Sequence, residues 1–279
     1  AYGEFSKFRV MSSNFIKTMG SSAGIHLFTV KEAKNQLPPE DIEEPVVLIS
    51  DSKFHNGHGI YSAAVHILAD DGISTSILDS EFKNNGHSAN LFAADFSRSS
   101  STVIVEFNAF ADLPVVIQDT AFERNFGLTS ASALSITKAP VTVTNSDFIQ
   151  NGNTIAGVYK LFSFYTDLFP DIWLPKSSGI TQATLSLSSC LAIKIQKCLF
   201  SKNWSSRHRT SSAVFAIVWA QSSAKISNCT FEDHLGQHAL GFNDEGSSTN
   251  GQEANVNYKP VEEGAVVTAN NGIFSKGNT

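Results

Sequence analysis

Methionine and cysteine are scarce in this chain, with two and three residues among 279. Three cysteines do not make a disulfide framework, so cysteine usage leaves the redox compartment open. No segment approaches the roughly 18 consecutive apolar residues of a membrane span. Basic residues are also in deficit. The formal net charge is −6, and no basic cluster exists beyond Arg207-His208-Arg209, which argues against nucleic acid as a partner. The chain begins at Ala1 without anything resembling a signal peptide, and repeat structure starts almost at once, as expected of a mature product or a piece of something longer. What abounds is Phe, 21 in all, with Ser, Thr, Asn, Val and Ile, which are strand and turn residues rather than helix formers.

The phenylalanines are not scattered. A degenerate motif recurs: apolar, any, Asp/Asn, Ser/Thr/Cys, any, Phe, often followed by any, any, Asn. It reads Ile49-Ser50-Asp51-Ser52-Lys53-Phe54, Leu78-Asp79-Ser80-Glu81-Phe82 and Ile117-Gln118-Asp119-Thr120-Ala121-Phe122. It returns as Val143-Thr144-Asn145-Ser146-Asp147-Phe148, Ile195-Gln196-Lys197-Cys198-Leu199-Phe200 and Ile226-Ser227-Asn228-Cys229-Thr230-Phe231, with looser copies ending at Phe15 and Phe274. Successive anchors lie 26 to 52 residues apart. Helical repeats have a nearly fixed unit, whereas a solenoid keeps its ladder positions in phase and places insertions in loops. The shortest spacing suits one coil of a parallel β-helix, and the longer ones suit a coil plus a surface loop.

A fainter repeat of small and apolar residues lies between anchors, as in Ala23-Gly24-Ile25-His26-Leu27-Phe28, Ala63-Ala64-Val65-His66-Ile67-Leu68 and Ala133-Leu134-Ser135-Ile136. Each coil thus offers two or three short strands whose alternation predicts sheets with one buried face. Val47, Ile49 and Phe54 should point inward, with Val115, Ile117 and Phe122 as their equivalents. The Asp/Asn at Asp51, Asp79, Asp119, Asn145 and Asn228 should take a tight turn, where these residues tolerate left-handed geometry. Ser52, Ser80, Thr120, Ser146, Cys198 and Cys229 should stack just inside it, and Asn85, Asn125, Asn151 and Asn203 should mark the next turn. A core stack of Phe15, Phe54, Phe82, Phe122, Phe148, Phe200, Phe231 and Phe274 would drive folding, at about 1.5–3 kcal/mol for each buried ring. A β-sandwich is the competing arrangement, but it gives no reason for a motif kept in phase.

The run apolar-x-Asn/Asp-Ser/Cys-x-Phe-x-x-Asn resembles the right-handed parallel β-helix repeats of pectin-lyase-like proteins. It is also similar to the Phe-x-x-Asn repeats of polymorphic outer-membrane proteins, here Phe82-Lys83-Asn84-Asn85 and Phe122-Glu123-Arg124-Asn125. The resemblance implies an all-β, right-handed parallel β-helix (solenoid) of about seven to nine coils forming one segment over residues 1–279. Two regions break the rhythm and are expected to protrude as loops. Residues 160–186 carry Phe164, Tyr165, Phe169 and Trp173, a possible interaction loop, and residues 243–263 are polar.

Gly57-His58-Gly59 and Asp70-Asp71 share residue types with polygalacturonases of this fold, but in those enzymes the paired Asp come first, and the Asn-Thr-Asp and Arg-Ile-Lys companions are missing here. A hydrolase needs two carboxylates across the scissile bond, and Asp70-Asp71-Gly72 reads as a turn. His26 and His66 occupy matching places on a solvent-facing side, with no third ligand in view for a metal. Cys198 and Cys229 share a repeat position, so their Cα atoms should be about 5 Å apart, close enough for a disulfide. In-register parallel side chains rarely reach the required dihedral, so stacked thiols are preferred over a bond. Asn203-Trp204-Ser205 and Asn228-Cys229-Thr230 are glycosylation sequons, with Asn203 preferred because Asn228 falls on the turn. No catalytic, cofactor-binding or metal residue is assigned, and no cofactor is expected.

Repeat structure runs from Phe8-Arg9-Val10 to Asn270-Asn271-Gly272-Ile273-Phe274 without an evident amphipathic capping helix, so the expectation is a segment that continues into more protein or stacks on a neighbour. This favours a non-enzymatic structural or adhesive segment of a large secreted or cell-surface protein, acting as rod or assembly component. Its partners would be other copies, neighbouring β-helical or surface proteins end to end, or glycans. The rival is a carbohydrate-active enzyme or glycan-binding module of the pectin-lyase type.

Overall fold

A computed structural model describes residues 7–29, 46–87, 101–127, 131–153, 183–190, 192–203, 212–218, 224–232 and 238–243. Among these every regular element is a strand, and every strand pairing is parallel. Three large sheets share the work. The first has seven strands in the order Phe8–Met11, Val47–Ser50, Thr75–Leu78, Val115–Gln118, Val141–Thr144, Ile193–Gln196 and Ala224–Ser227. The second has seven, in the order Asn14–Ile16, Lys53–His55, Glu81–Lys83, Ala121–Glu123, Asp147–Ile149, Leu199–Ser201 and Thr230–Glu232. The third, of nine strands, contains His58–Ala69, Ser101–Phe107, Ala131–Thr137, Ala183–Ser188, Ser212–Val218 and His238–Asn243 as consecutive neighbours. Each motif copy therefore gives one strand to the first sheet and, two residues later, one to the second. The stacked parallel sheets are compatible with a parallel β-helix.

The two-residue corner between first and second sheets is built from the motif's polar positions. Its leading residue has positive φ in every described copy: Ser12, Asp51, Asp79, Asp119, Asn145, Lys197 and Asn228, at 47° to 54°. Asp and Asn tolerate this geometry, and Ser12 and Lys197 adopt it as well. The second corner residue turns inward. The hydroxyls of Ser52, Ser80, Thr120 and Ser146 donate to the carbonyl two residues back at 2.7–2.8 Å. Ser80 and Ser146 also accept from the backbone N–H of Ser52 and Thr120 at 3.2 Å. A side chain thus repairs the ladder where the backbone bends and would otherwise leave buried groups unpaired.

Inside the stack the rings form one file. Phe15, Phe54, Phe82, Phe122, Phe148, Phe200 and Phe231 stack in sequence with centroids 4.6–5.3 Å apart and planes within 8°. That is the strand spacing of a parallel sheet transmitted to the side chains. Phe54, Phe82, Phe122, Phe148 and Phe200 are buried together with Val47, Ile49, Val115 and Ile117. Phe274, the last anchor expected, lies outside the described residues.

A second corner follows the second sheet. Asn85, Asn125, Asn151 and Asn203 are wholly buried at this turn, and the left-handed geometry falls on the residue before each, on Asn84, Arg124, Gln150 and Lys202. The asparagines form a ladder instead. Asn85 Nδ2 donates to Phe54 O at 2.8 Å, while Asn125 Oδ1 accepts from both the backbone N–H and Nδ2 of Asn85 at 3.0 Å. The same pattern links Asn125 to Asn151 and Asn151 to Asn203. In the rung before Asn85 the position is Gly57, where a Cβ would lie 2.1 Å from Ala63 O. Gly57 still joins the ladder, its N–H donating to Asn85 Oδ1 at 2.8 Å.

Two expectations need correcting. The middle strands of the third sheet are buried on both faces: Thr102, Val103, Ile104 and Val105 are all inaccessible, as are Ala133, Leu134 and Ile136, whereas the strand Ile25–Thr29 still alternates, with His26 half-buried. Continuous small and apolar runs such as Ala63-Ala64-Val65 already have the composition of a doubly covered parallel strand. The loop expected over residues 160–186 ends earlier, since the strand Ala183–Ser188 starts inside it. The remainder of that stretch, with Phe164, Tyr165, Phe169 and Trp173, lies outside the described residues, as does the loop beyond Asn243.

Candidate functional site

Among the described residues, the outer sides of the first two sheets and their corners carry most of the polar and charged side chains open to solvent. The second sheet's outer side pairs its charges. Lys53 stands in register with Glu81, and Lys83 with Glu123 on one side and His55 on the other. Lys83 Nζ lies 2.7 Å from Glu123 Oε2, and this hydrogen bond, more than the burial opposing it, holds the Glu123 carboxyl below its ordinary range. Arg124 lies 3.3 Å from Glu123, and His55 lies 3.3 Å from Glu81. The Lys83–Glu123 and His55–Glu81 pairs cross between strands and steady the register, at about 0.2–1 kcal/mol each. Asp147 has no such help, and desolvation raises its carboxyl pKa.

The first sheet's outer side differs. Its outward positions in the middle strands are Ser76, Val116 and Thr142, aligned with one another, and its last two strands present Lys194 opposite Lys225. At the adjoining corner Asp51, Asp79 and Asp119 follow one another, and Lys197 stands where the motif elsewhere has Asp or Asn. Asp119 accepts from Asn145 Nδ2 and, at 2.8 Å, from Gln118 Nε2, and these bonds hold its carboxyl below the usual range.

No family model and no curated protein matches the chain.

The residues singled out for chemistry are not brought together. His58 begins the strand His58–Ala69 and Asp70 follows its end. Asp70 is engaged in a turn, accepting from Asn108 Nδ2 at 2.6 Å and from Ala109 N at 3.0 Å. His26 and His66 do stack, with centroids 4.8 Å apart, but His66 is buried rather than solvent-facing because the third sheet is covered on its outer side. Ser22 Oγ lies 3.4 Å from His66 Nδ1, and Glu106 lies 4.0 Å from Nε2. Burial lowers the His26 pKa. Among the described residues no group of three or more His, Cys, Asp or Glu is arranged to hold a metal.

Cys198 and Cys229 occupy the inward corner position as free, buried thiols. Each sulfur is directed at the carbonyl two residues back, at 3.2 and 3.3 Å, taking the role of the serine hydroxyl in other rungs. The Cys229 sulfur beside it, together with burial, raises the Cys198 pKa, and burial pushes Cys190 up to about 12. The folded positions reverse the order expected of the sequons. Asn203 is wholly buried with Nδ2 donating to Phe148 O at 2.8 Å, whereas Asn228 is exposed at its corner. Burial in the Asn ladder was the signal missed, because Phe-x-x-Asn fixes Asn203 to that ladder as firmly as Asn125.

Proposed function

We propose that the chain is a segment of a right-handed parallel β-helix of about seven to nine coils that serves as a structural or adhesive rod in a large secreted or cell-surface protein. The observation that carries this reading is the unbroken phase of the Phe, Asn and corner files over successive rungs. The repeat's buried polar residues are spent on joining one rung to the next. That is the economy of a spacer whose stability grows with each neighbour. The outward positions of the first sheet vary from rung to rung among Ser, Thr, Val and Lys, and the potential catalytic pairs are dispersed. A surface role follows from such a scaffold, since extended repeat faces suit contact with other macromolecules.

Two measurements test it. Far-ultraviolet circular dichroism of the chain should show strand without appreciable helix, and antibodies to the chain should label intact, unpermeabilised cells. A strong helical signal or exclusively intracellular label would overturn the fold or its address. Incubation with polyuronates should yield neither unsaturated products nor new reducing ends, and turnover would establish the enzymatic rival instead.

A further inference from the structure

Charge on the first sheet's outer side and its corner is sorted along the stack. The corner file runs Ser12, Asp51, Asp79, Asp119, Asn145, Lys197 and Asn228, one residue per rung. Its acidic half is followed by a neutral rung, Asn145, and then by Lys197, with Lys194 and Lys225 beside it. Asp51, Asp79, Asn145, Lys194, Lys197 and Lys225 are exposed and Asp119 is half-buried. The partners of these carboxylates on their own chain are neutral, namely Ser12 for Asp51 and Asn145 and Gln118 for Asp119. Among the described residues no carboxylate lies within ion-pair distance of the three lysines. Lys194 and Lys225 are directly opposed in register, a like-charge arrangement that costs stability. The second sheet of the same molecule avoids this by alternating Lys with Glu.

We propose that this face binds a second copy of the chain, antiparallel and related by a two-fold axis through the Asn145 rung. Rungs equidistant from Asn145 then exchange places. Asp119, one rung before it, meets the partner's Lys197 on the rung that also carries Lys194, and Asp79, two rungs before it, meets the partner's Asn228 on the rung that carries Lys225. The two-fold repeats both contacts. A polyanion laid along the face would be repelled by Asp51, Asp79 and Asp119, and a polycation by the lysines. An identical surface turned end for end matches both halves, and a two-fold interface is self-complementary in this sense. Half-buried Leu78 and Val116 flank the carboxylates and supply apolar contact to a face whose charges set register and orientation. The inference rests on the charge order alone and does not depend on the rod reading.

Sedimentation equilibrium of the whole chain tests it. The chain should dimerise at about 0.05 M salt and weaken at least tenfold at about 0.5 M, as exposed charges are screened. Lys194→Glu/Lys197→Glu/Lys225→Glu makes both halves acidic, and Asp79→Lys/Asp119→Lys makes the two rungs on either side of Asn145 basic. Each variant alone should dimerise roughly tenfold more weakly or worse, while an equimolar mixture should form a heterodimer. Lysine is compatible with this corner, since Lys197 holds it at φ 54°. Should either multiple variant fail to fold, the single swaps Asp119→Lys and Lys197→Glu repeat the mixing experiment. A wild-type chain that stays monomeric at about 0.1 mM and low salt, a dimer indifferent to both variants, or a mixture that remains monomeric would each overturn the proposal.

Discussion

Replacing Asn125 by alanine isolates the bond that ties rung to rung. Asn125 Oδ1 accepts from Asn85 N at 3.0 Å, and its Nδ2 donates to Phe82 O at 2.9 Å, all within a wholly buried file. Some neighbours keep a partner after truncation. Asn85 Nδ2 retains Phe54 O at 2.8 Å, and Asn151 Oδ1 retains the backbone N–H of residue 125 at 3.0 Å. What is orphaned is the Asn85 N–H, since Phe82 O stays in the ladder between the strands Glu81–Lys83 and Ala121–Glu123. One buried group gives an expected loss of about 1–3 kcal/mol. Asn125→Asp should be worse at neutral pH, because a buried carboxylate would face Phe82 O and Asn151 Oδ1, and acidification that protonates it should recover part of the loss. Arg124→Ala, one residue earlier on the exposed side, should change stability by no more than about 0.5 kcal/mol. Urea unfolding followed by far-ultraviolet circular dichroism reads all three, with the midpoint shifting and the slope constant. If Asn125→Ala costs under about 1 kcal/mol, or Asp and Ala are equally tolerated at pH 7, the ladder is not the tie described.

Phe122→Ala should cost about 3–5 kcal/mol, since its ring is buried between Phe82 and Phe148 at 4.9 Å each, whereas Phe15→Ala, half-buried against Phe54, should cost roughly half as much in the same unfolding assay. With Cys190 pushed up to about 12 and the buried Cys198 also raised, these two should resist alkylation at mildly alkaline pH, while Cys229, lowered by the Cys198 sulfur beside it, is protected by its burial and should label slowly, so that three labels are taken up promptly only on denaturation. Mass spectrometry counts them, and a fast-reacting native thiol would contradict the buried assignment. Asp119 and Glu123 have depressed pKa values in the folded chain, so they add stability above the ordinary carboxylate range and lose it as pH falls through those lowered values. Glu123→Gln should flatten this acid limb in unfolding measured at a series of pH values. Asp147 has the opposite sign, its raised pKa opposing folding once the carboxyl ionises, so Asp147→Asn should gain a few tenths of a kcal/mol at neutral pH and nothing in acid.

The sequence by itself determined the files. A motif kept in phase across insertions of different length names the stacked residues, because side chains at equivalent positions of paired parallel strands must lie one strand spacing apart. The stacking of Phe54, Phe82, Phe122 and Phe148 was legible for that reason, and so were the inward Ser52 and Cys198 positions and the left-handed corner at Asp51 and Asp79. What lies across from an outward residue is not encoded by its own period. Only the tertiary structure decided that His66 is covered and that, among the described residues, no carboxylate from another segment reaches Lys194 or Lys225 while Lys83 closes on Glu123. Those outcomes depend on which insertion brings which rung beside which, and on what covers a sheet's far side. Local alternation reports that a face exists, and the packing of distant segments sets what that face meets.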